Sequence, residues 1–225
     1  MSAPRILVVT NGPLCRNPRV VKEAGALGAA GHDVTVLAIR NHAPSEPLDR
    51  AILAGAPFRR ETIDLLPGSG PAAFRRRLLL RFARDAAVRL GWPSIHALGP
   101  AGSLLRRIKT LPADLTLVHN EVPHWAGAQL LGSGRRIAAD FEDWHSEDLL
   151  PQDRTGRPLE LLRATERTLL HRAAGSTTTS HALAEALHTR YGGTRPSVVT
   201  NSFPLQPDPH RWPPGETPAF FWFSQ

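Results

Sequence analysis

The sequence predicts an α/β domain built on a doubly wound, Rossmann-like parallel sheet. Three observations predict this fold class. Short apolar runs rich in β-branched residues alternate with segments of helical periodicity, and such runs are typical of strands buried on both faces. The intervening segments are long enough for helical crossovers, which join parallel strands. Proline and glycine also mark where several helical segments begin and end.

The first βαβ unit occupies the N-terminal part of the chain. Residues 5–10 form an apolar run that predicts the first strand. Residues 19–30 have helical periodicity, and Pro18 and Gly31 flank this segment as its start and its end. Residues 32–39 predict a second strand, which is parallel to the first because a helix connects the two.

The later elements continue the alternation of strands and helices. Ser180 is a suitable cap for the last helix, which runs to Tyr191. Further strands are predicted over 61–65, 114–119, 136–140, 176–179 and 197–200, and further helices over 72–90, 103–109, 125–131, 158–174 and 180–191.

The composition changes after residue 203, which divides the chain into three parts. Residues 1–203 form the predicted Rossmann-like domain. Residues 204–218 contain six prolines and predict an interdomain linker. Residues 219–225 begin with Ala-Phe-Phe-Trp-Phe, an apolar run with no following element to bury it. We expect this run to be the first strand of a truncated C-terminal domain whose remainder is absent.

The net charge of +7 is concentrated in one segment. Residues 71–110 contain nine basic residues and one acid, Asp85, so this segment carries +8 and the rest of the chain −1. A local basic patch indicates a local anionic partner more than general nucleic-acid binding. We therefore expect no nucleic-acid partner.

The helix predicted over 72–90 carries much of this charge. Helical spacing places Arg77, Arg81 and Arg84 on one face. A basic amphipathic helix of this kind predicts contact with an anionic membrane surface. The alternative is a solvated basic face on a helix that packs through an opposite apolar stripe, which would consist of Leu79, Ala83, Ala86 and Leu90.

Several classes of protein are disfavoured by missing motifs. The loop after the first strand has one glycine, Gly12, where a dinucleotide fingerprint needs three, and Arg40 ends the second strand where an NAD enzyme places an acid. The sequence contains neither a P-loop nor a His-Glu-x-x-His motif. The single cysteine, Cys15, excludes an internal disulfide and a thiolate zinc site, and it is typical of a protein in the reducing cytoplasm.

Candidate ligand-binding residues follow the carboxyl ends of the predicted strands, where open α/β sheets bind their ligands. The strand ends carry Asn11 and Gly12, residues 119–121, residues 140–147, Ser180 and Asn201.

Four segments resemble the N-terminal domain of family-four-like glycosyltransferases: residues 5–39, 140–148, 176–184 and 198–204. The resemblance implies the first half of a two-domain GT-B fold, with the acceptor held mainly by this domain and the nucleotide-sugar mainly by the second. It also implies transfer with retention of configuration and no required metal or cofactor.

The resemblance directs attention to the loop after the first strand and to the fourth strand. Backbone N–H groups near Gly12 and the charges of Arg16 and Arg19 suit a departing diphosphate; an ordinary turn and solvated surface charge are the alternatives. His119 or Asn120 matches the position where related enzymes place a group near the reacting sugar, and these are the candidate catalytic residues. A structural histidine at a strand end is the alternative for His119.

The acidic loop after the fifth strand supplies further candidate substrate-binding residues. Glu142 and Asp143 are suited to hydrogen-bond sugar hydroxyls or to accept the acceptor's proton, and the indole of Trp144 suits a sugar ring. The alternative is a loop whose acids complement a helix dipole. Ser180 and Asn201, at the last strand ends, complete the predicted site.

The sequence therefore predicts the acceptor-side half of a glycosyltransferase that moves a sugar from a nucleotide-sugar to a glycan or lipid-linked envelope precursor. A catalytically incomplete fragment, or a non-catalytic binding module of the same fold, is the alternative. We expect a cytoplasmic protein that associates peripherally with the inner face of the membrane.

Overall fold

The structure is a computed structural model that describes residues 3–203. Within this range a seven-stranded sheet lies between helices, and every neighbouring pair of strands is parallel. This confirms the predicted fold class. The predicted linker over 204–218 and the predicted strand over 219–225 lie outside the described residues.

The strand order is β3-β2-β1-β4-β5-β6-β7. The chain therefore adds β2 and β3 on one side of β1 and then adds β4 to β7 on its other side. The direction of winding therefore reverses between β1 and β4, where open sheets of this kind bind their ligands. The strands are β1 Arg5–Val9, β2 Asp33–Arg40, β3 Arg59–Asp64, β4 Leu115–His119, β5 Ile137–Phe141, β6 Gly175–Thr178 and β7 Ser197–Val198.

Seven α-helices connect the strands. They are α1 Pro18–Ala29, α2 Glu46–Leu53, α3 Pro71–Arg89, α4 Ala101–Thr110, α5 Glu121–Leu130, α6 Leu159–Arg172 and α7 His181–Tyr191. Short 3-10 turns cover Leu14–Arg16, Ala43–Ser45, Ile95–Ala97 and Pro151–Arg154.

Strand β1 is buried on both faces, as its continuous apolar run predicts. Ile6 and Val8 pack on one side against α1 and β2, and Leu7 and Val9 pack on the other side in the larger core. The alternation follows from the two-residue period of a strand. The site at the carboxyl end of β1 therefore stands on the most deeply packed part of the sheet.

Helix α2 was absent from the sequence prediction, and its one fully buried side chain is charged. Asp49 is 1% exposed, and its carboxylate accepts hydrogen bonds from the backbone N–H groups of Leu14 and Cys15 and from the guanidinium of Arg60. Apolar side chains of α2 also pack, half-buried, against the core on the α1 side of the sheet. Helix α5 also begins earlier than predicted, at Glu121.

Helix α3 packs through a different stripe from the predicted one. Its buried residues are Ala73, Leu80 and Ala87, spaced seven apart. Leu79 and Leu90, which the sequence suggested as part of the packed stripe, are 60% and 58% exposed. That assignment was wrong.

The physical reason lies in the arginines of α3. Arg84 donates to the carbonyl of Ala97 over 2.9 Å, and Arg77 approaches the carbonyl of Leu65 at 3.5 Å. Arg76 also donates to backbone and side-chain oxygens of neighbouring elements. These contacts hold Arg76, Arg77 and Arg84 against neighbouring elements, whereas Arg75, Arg81 and Arg89 are exposed. No helix within residues 3–203 has the length and apolarity required to cross a membrane.

Two glycines of α1 give a matched test of its packing. A Cβ added at Gly28 would clash with the carbonyl of Pro57, whereas one added at Gly25 meets no atom within 4 Å. We expect Gly28→Ala to lower the free energy of unfolding by about 1–3 kcal/mol. We expect Gly25→Ala to raise it by about 0.5–1 kcal/mol, because alanine favours the helix. Urea denaturation of both variants would measure the difference, and equal stabilities would contradict the packing.

Candidate functional site

A cavity of about 280 Å³ opens at the point where the sheet reverses its winding direction. It lies at the carboxyl ends of β1, β2 and β4, and it includes three of the predicted site residues, Gly12, Arg16 and Asn120. The other residues that line it are Asn11, Pro13, Asn17, Asn41 and Glu121.

Asn120 has a backbone conformation that only glycine adopts readily, with φ 67° and ψ 168°. Its Oδ1 accepts hydrogen bonds from Thr10 Oγ1 at 2.9 Å and from the backbone N–H of Asn11 at 3.1 Å. Among the described residues no hydrogen bond is donated by its Nδ2. The side chain therefore fixes the loop after β1 to the end of β4 and keeps an amide donor at the cavity.

Two substitutions separate the strain at Asn120 from its hydrogen bonds. Asn120→Ala and Asn120→Gly both lose the contacts with Thr10 and Asn11. The backbone conformation at this position is strained for alanine, whereas glycine adopts it without strain. We expect the glycine variant to be more stable than the alanine variant by about 1–3 kcal/mol in urea denaturation. If the two variants unfold at the same urea concentration, the backbone is not strained at this position.

His119 lies directly before Asn120 and is fully buried at the end of β4. Its Nε2 is 2.7 Å from Glu23 Oε2, and its Nδ1 is 3.2 Å from Asp140 Oδ2. Register explains the second contact, because His119 pairs with Asp140 across β4 and β5 and both side chains point to the same face. A hydrogen bond from His119 to a sugar would require one of these contacts to open.

The two carboxylates determine the charge of His119. Burial opposes the imidazolium, but the hydrogen bonds and charges of Asp140 and Glu23 outweigh it and raise the pKa of His119 to about 9. Burial also opposes the charged form of Asp140, yet the contacts with His119 and Arg19 hold the pKa of Asp140 well below its usual range. At neutral pH the site therefore contains a buried imidazolium and a buried carboxylate.

Arg19 completes this charged network. It is 9% exposed, and its Nε and Nη2 donate to both oxygens of Asp140 at 2.6 and 2.7 Å. Its Nη1 donates to the carbonyl of Val199 at 2.6 Å and to Asn201 Oδ1 at 3.2 Å. The interpretation of Arg19 as solvated surface charge is therefore wrong. The bidentate pair connects α1 to β5, and the two hydrogen bonds from Nη1 connect α1 to the segment that contains Asn201.

The network and the Asn120 cavity are separate places. Arg19 and Asn201 border a different cavity, of about 360 Å³, between α1 and the segment after β7. Glu23 and Thr177 also line it, and Thr177 donates to Asp140. Of the predicted residues, the structure thus groups Gly12, Arg16 and Asn120 around one cavity and His119, Arg19 and Asn201 in the network beside it.

The acidic loop after β5 divides into exposed and structural residues. Glu142 is half-buried, and burial together with the nearby charges of Asp143 and Asp140 raises the pKa of Glu142. Asp143 is exposed. Trp144 packs against the larger core, and its Nε1 donates to Tyr191 Oη at 3.3 Å.

Ser180, at the end of β6, caps α7 as the sequence suggested. Its Oγ accepts a hydrogen bond from the backbone N–H of Leu183 at 3.1 Å. The neighbouring Thr179 donates to the carbonyl of Glu142 at 3.3 Å, which links the acidic loop to β6. Glu147 and Asp148 lie in ion pairs with Arg154 and His145, whereas Glu142 and Asp143 form no ion pair among the described residues and so keep their carboxylates available to a ligand.

Glu121, one of the strand-end candidates, and Asn41, which the sequence analysis missed, also line the Asn120 cavity. Asn41 directly follows β2, so the rule that selected Gly12 and Asn120 would also have found it. Behind Glu121, the buried His145 places its Nδ1 3.5 Å from the Glu121 carboxylate. Burial opposes the charge of His145, but Asp148 and Glu121 raise the pKa of its imidazole.

Within residues 3–203, no three histidine, cysteine, aspartate or glutamate side chains form a group suited to hold a metal ion. The donors that the cavity offers are instead amides, backbone N–H groups near Gly12 and the exposed guanidinium of Arg16. Such donors are suited to the oxygens of sugars and phosphates.

Many solved structures share this fold, and three of them illustrate the match. UGT89C1 from Arabidopsis thaliana, complexed with UDP-L-rhamnose, has a TM-score of 0.52 and 15% sequence identity, with 92% of this chain and 54% of that chain covered. Sucrose-phosphate synthase from Thermosynechococcus elongatus has a TM-score of 0.52 and 15% identity, with 88% of this chain and 47% of that chain covered. UGT73P12 from Glycyrrhiza uralensis, complexed with glycyrrhetinic acid 3-O-monoglucuronide, has a TM-score of 0.52 and 12% identity. The match covers 85% of this chain and 48% of that chain.

The chain therefore spans about half the length of the solved structures it matches. These neighbours are GT-B enzymes, and the described domain corresponds to one Rossmann-like half of that fold. A comparison with curated protein sequences gave no match. The sequence model of the family described as Glycosyltransferase Family 4 matches residues 19–206, which is most of the chain. The chain belongs to Glycosyltransferase Family 4, as an N-terminal domain of that family.

Proposed function

We propose that this chain forms the acceptor-side half of an enzyme that transfers a sugar from a nucleotide-sugar donor to an acceptor. The observation that carries the proposal is the cavity at the switch point of the sheet, where the strained Asn120 presents an amide donor beside Gly12 and Arg16. Family membership supports sugar transfer as the reaction class.

The chemistry requires stabilisation of a cationic sugar and of a departing diphosphate. Arg16 is exposed at the cavity, and its Nη2 lies 3.2 Å from the ring of His42, which leaves its other donors for phosphate oxygens. The Asn120 amide is suited to hold a sugar hydroxyl or a phosphate oxygen. In this proposal His119 acts as a positioning residue, because its buried ion pairs fix the end of β4 directly before Asn120.

The acceptor's hydroxyl proton also needs a destination. Glu142 is half-buried, and its pKa is raised. A carboxylate with a raised pKa accepts a proton more readily than an exposed glutamate does. Asp143, exposed beside it, is suited to hydrogen-bond acceptor hydroxyls. We propose these roles together with transfer that retains configuration and needs no metal.

A catalytically incomplete fragment is the second candidate, and one observation favours it. The chain covers only 47–54% of the enzymes whose fold it shares. We therefore expect weak nucleotide-sugar binding and little turnover by these 225 residues alone. Robust hydrolysis of a nucleotide-sugar by this chain would contradict that expectation.

Ligand-observed NMR with a panel of UDP-, GDP- and ADP-sugars tests the proposed function. We expect at least one member to bind with a dissociation constant of about 1 mM or weaker. Asn120→Ala should weaken that binding about fivefold, because the amide donor is lost, whereas Gly25→Ala should leave it unchanged. Absence of binding across the panel, or equal binding by the Asn120→Ala variant, would overturn the proposal.

We further propose that the outward face of α3 contacts an anionic membrane surface from the cytoplasmic side. Phe74, Leu78 and Phe82 lie on this face at successive i+4 positions, with exposed fractions of 59%, 41% and 62%. Arg75 and Arg89 are exposed among them. Aromatic side chains beside arginines on one helix face suit the interface of an anionic bilayer.

Sedimentation with vesicles that contain phosphatidylglycerol tests this contact. Each phenylalanine removed from the interface should cost about 1.5–3 kcal/mol, so we expect Phe74→Ser/Phe82→Ser to reduce vesicle partitioning at least tenfold. Leu48→Ser is the matched control, because Leu48 is 58% exposed but lies on α2. Equal sedimentation of the two variants would contradict membrane contact through α3.

A further inference from the structure

A third cavity, of about 520 Å³, lies between α3 and the carboxyl ends of β2 and β3. Three arginines of α3 line it, namely Arg77, Arg81 and Arg84. The remaining lining residues are Asn41, Leu65, Leu80 and Asp85. The three guanidinium groups and the single carboxylate give the cavity wall a charge of +2.

The arginines keep most of their donors for a ligand. Arg84 uses Nε for the carbonyl of Ala97, and Arg77 uses Nη1 for the carbonyl of Leu65, out of five N–H donors on each guanidinium. Arg81 is exposed and makes no hydrogen bond to any residue within 3–203. Across the described part of the chain, no carboxylate oxygen lies within 4.0 Å of a guanidinium of α3. The backbone contacts orient two of these cations, and no carboxylate within residues 3–203 forms an ion pair with them.

The arginine cavity adjoins the proposed sugar-transfer cavity. Asn41 lines both of them, since it directly follows β2 at the same edge of the sheet. A ligand anchored by Arg77, Arg81 and Arg84 would therefore extend past Asn41 toward Asn120. This placement suits an anchoring group on the acceptor, at a short distance from the hydroxyl that receives the sugar.

We propose that the arginine cavity binds a phosphomonoester carried by the acceptor. A phosphomonoester has a charge of about −1.5 to −2 at pH 7, which matches the +2 of the cavity wall. Arginine groups hold phosphate oxygens through paired hydrogen bonds, and a phosphomonoester offers three terminal oxygens to three arginines. The role of this site in acceptor binding rests on the proposed function, whereas binding of the phosphate itself does not.

The phosphomonoester has two possible sources, a lipid headgroup or a soluble sugar phosphate. The exposed Phe74, Leu78 and Phe82 lie on α3 next to the arginines that line the cavity. The experiment therefore includes one arm for each source. Both arms use the same variants.

Arg81→Gln and Arg75→Gln form a matched pair of variants. Each removes one exposed positive charge from α3, but only Arg81 lines the cavity. Isothermal titration with glycerol 1-phosphate at fixed ionic strength is the soluble arm. Sedimentation with vesicles of phosphatidic acid, compared with vesicles of phosphatidylglycerol at equal surface charge, is the lipid arm.

We expect Arg81→Gln to weaken glycerol 1-phosphate binding, or to reduce the preference for phosphatidic acid over phosphatidylglycerol, about tenfold. Arg75 lies on the membrane-facing side of α3, so Arg75→Gln should weaken binding to both kinds of vesicle alike and change either of those two quantities less than twofold. Binding of glycerol 1-phosphate without a preference for phosphatidic acid would support a soluble acceptor, and a preference for phosphatidic acid that Arg81→Gln removes would support a lipid acceptor. Equal losses in both variants, or binding in neither arm, would overturn the proposal. Nucleotide-sugar binding that persists after such a failure would leave the proposed function standing.

Discussion

Replacing Asp140 with alanine is expected to lower the free energy of unfolding by about 3–5 kcal/mol. The carboxylate is buried at the end of β5, where it receives two hydrogen bonds from Arg19 and lies 3.2 Å from His119. Its removal leaves two buried cations without their shared counter-ion. This cost is larger than the stabilisation that an exposed ion pair of the same length provides.

Urea denaturation at pH 7 measures the effect, with Asp143→Ala as the control. Asp143 belongs to the same loop but is exposed, so its removal should change stability by less than about 0.5 kcal/mol. A double variant, Arg19→Met/Asp140→Leu, should recover part of the loss because it removes a buried ion pair as a unit. If Asp140→Ala unfolds like Asp143→Ala, the buried network does not hold α1 to the sheet.

Stability is also expected to fall as the pH rises from about 6.5 to about 9, through the titration of His119. The folded state raises the pKa of His119 from 6.5 to about 9, so folding favours the protonated imidazole. The resulting stabilisation is fully present below pH 6.5 and disappears as the pH passes 9. Its size is on the order of 3 kcal/mol.

Unfolding free energies measured between pH 6 and pH 9.5 test this dependence, with His119→Gln as the comparison. Glutamine cannot gain a proton, so the difference in stability between the wild type and the variant should shrink across this range. His124 gives stability a pH dependence of the opposite sign. Burial lowers the pKa of His124 to about 3, so its contribution to stability disappears as the pH falls below 6.5. A wild type that loses no more stability than His119→Gln at alkaline pH would contradict a buried imidazolium.

The sheet could be predicted from sequence because β1, β2, β4 and β5 each carry an apolar run of their own. Helix α2 was missed, since it has only eight residues and its one fully buried side chain is the carboxylate of Asp49, which a search for apolar stripes does not detect. The stripe of α3 was misassigned for a related reason. Charged residues were assumed to face outward, but Arg77 and Arg84 bind carbonyls on the inner side.

The candidate site was only partly predictable. The rule that ligands bind at strand ends led to Gly12, His119 and Asn120, and these residues do lie at the same edge of the sheet. The pairing of Arg19 with Asp140 had no sequence signal, because 121 residues separate them and only the packing of α1 beside the end of β5 brings them together. The strain at Asn120 likewise depends on the turn into α5.

The central claim is that the carboxyl ends of β1 and β4 form one wall of a sugar-transfer cleft, and amide NMR of the labelled chain tests it most directly. Titration with the nucleotide-sugar that binds best should shift the signals of Asn11, Gly12 and Asn120 first, because these groups line the cavity at the switch point. Shifts confined to the opposite edge of the sheet, for example around Asp33 and Asp114 at the amino ends of β2 and β4, would contradict the claim.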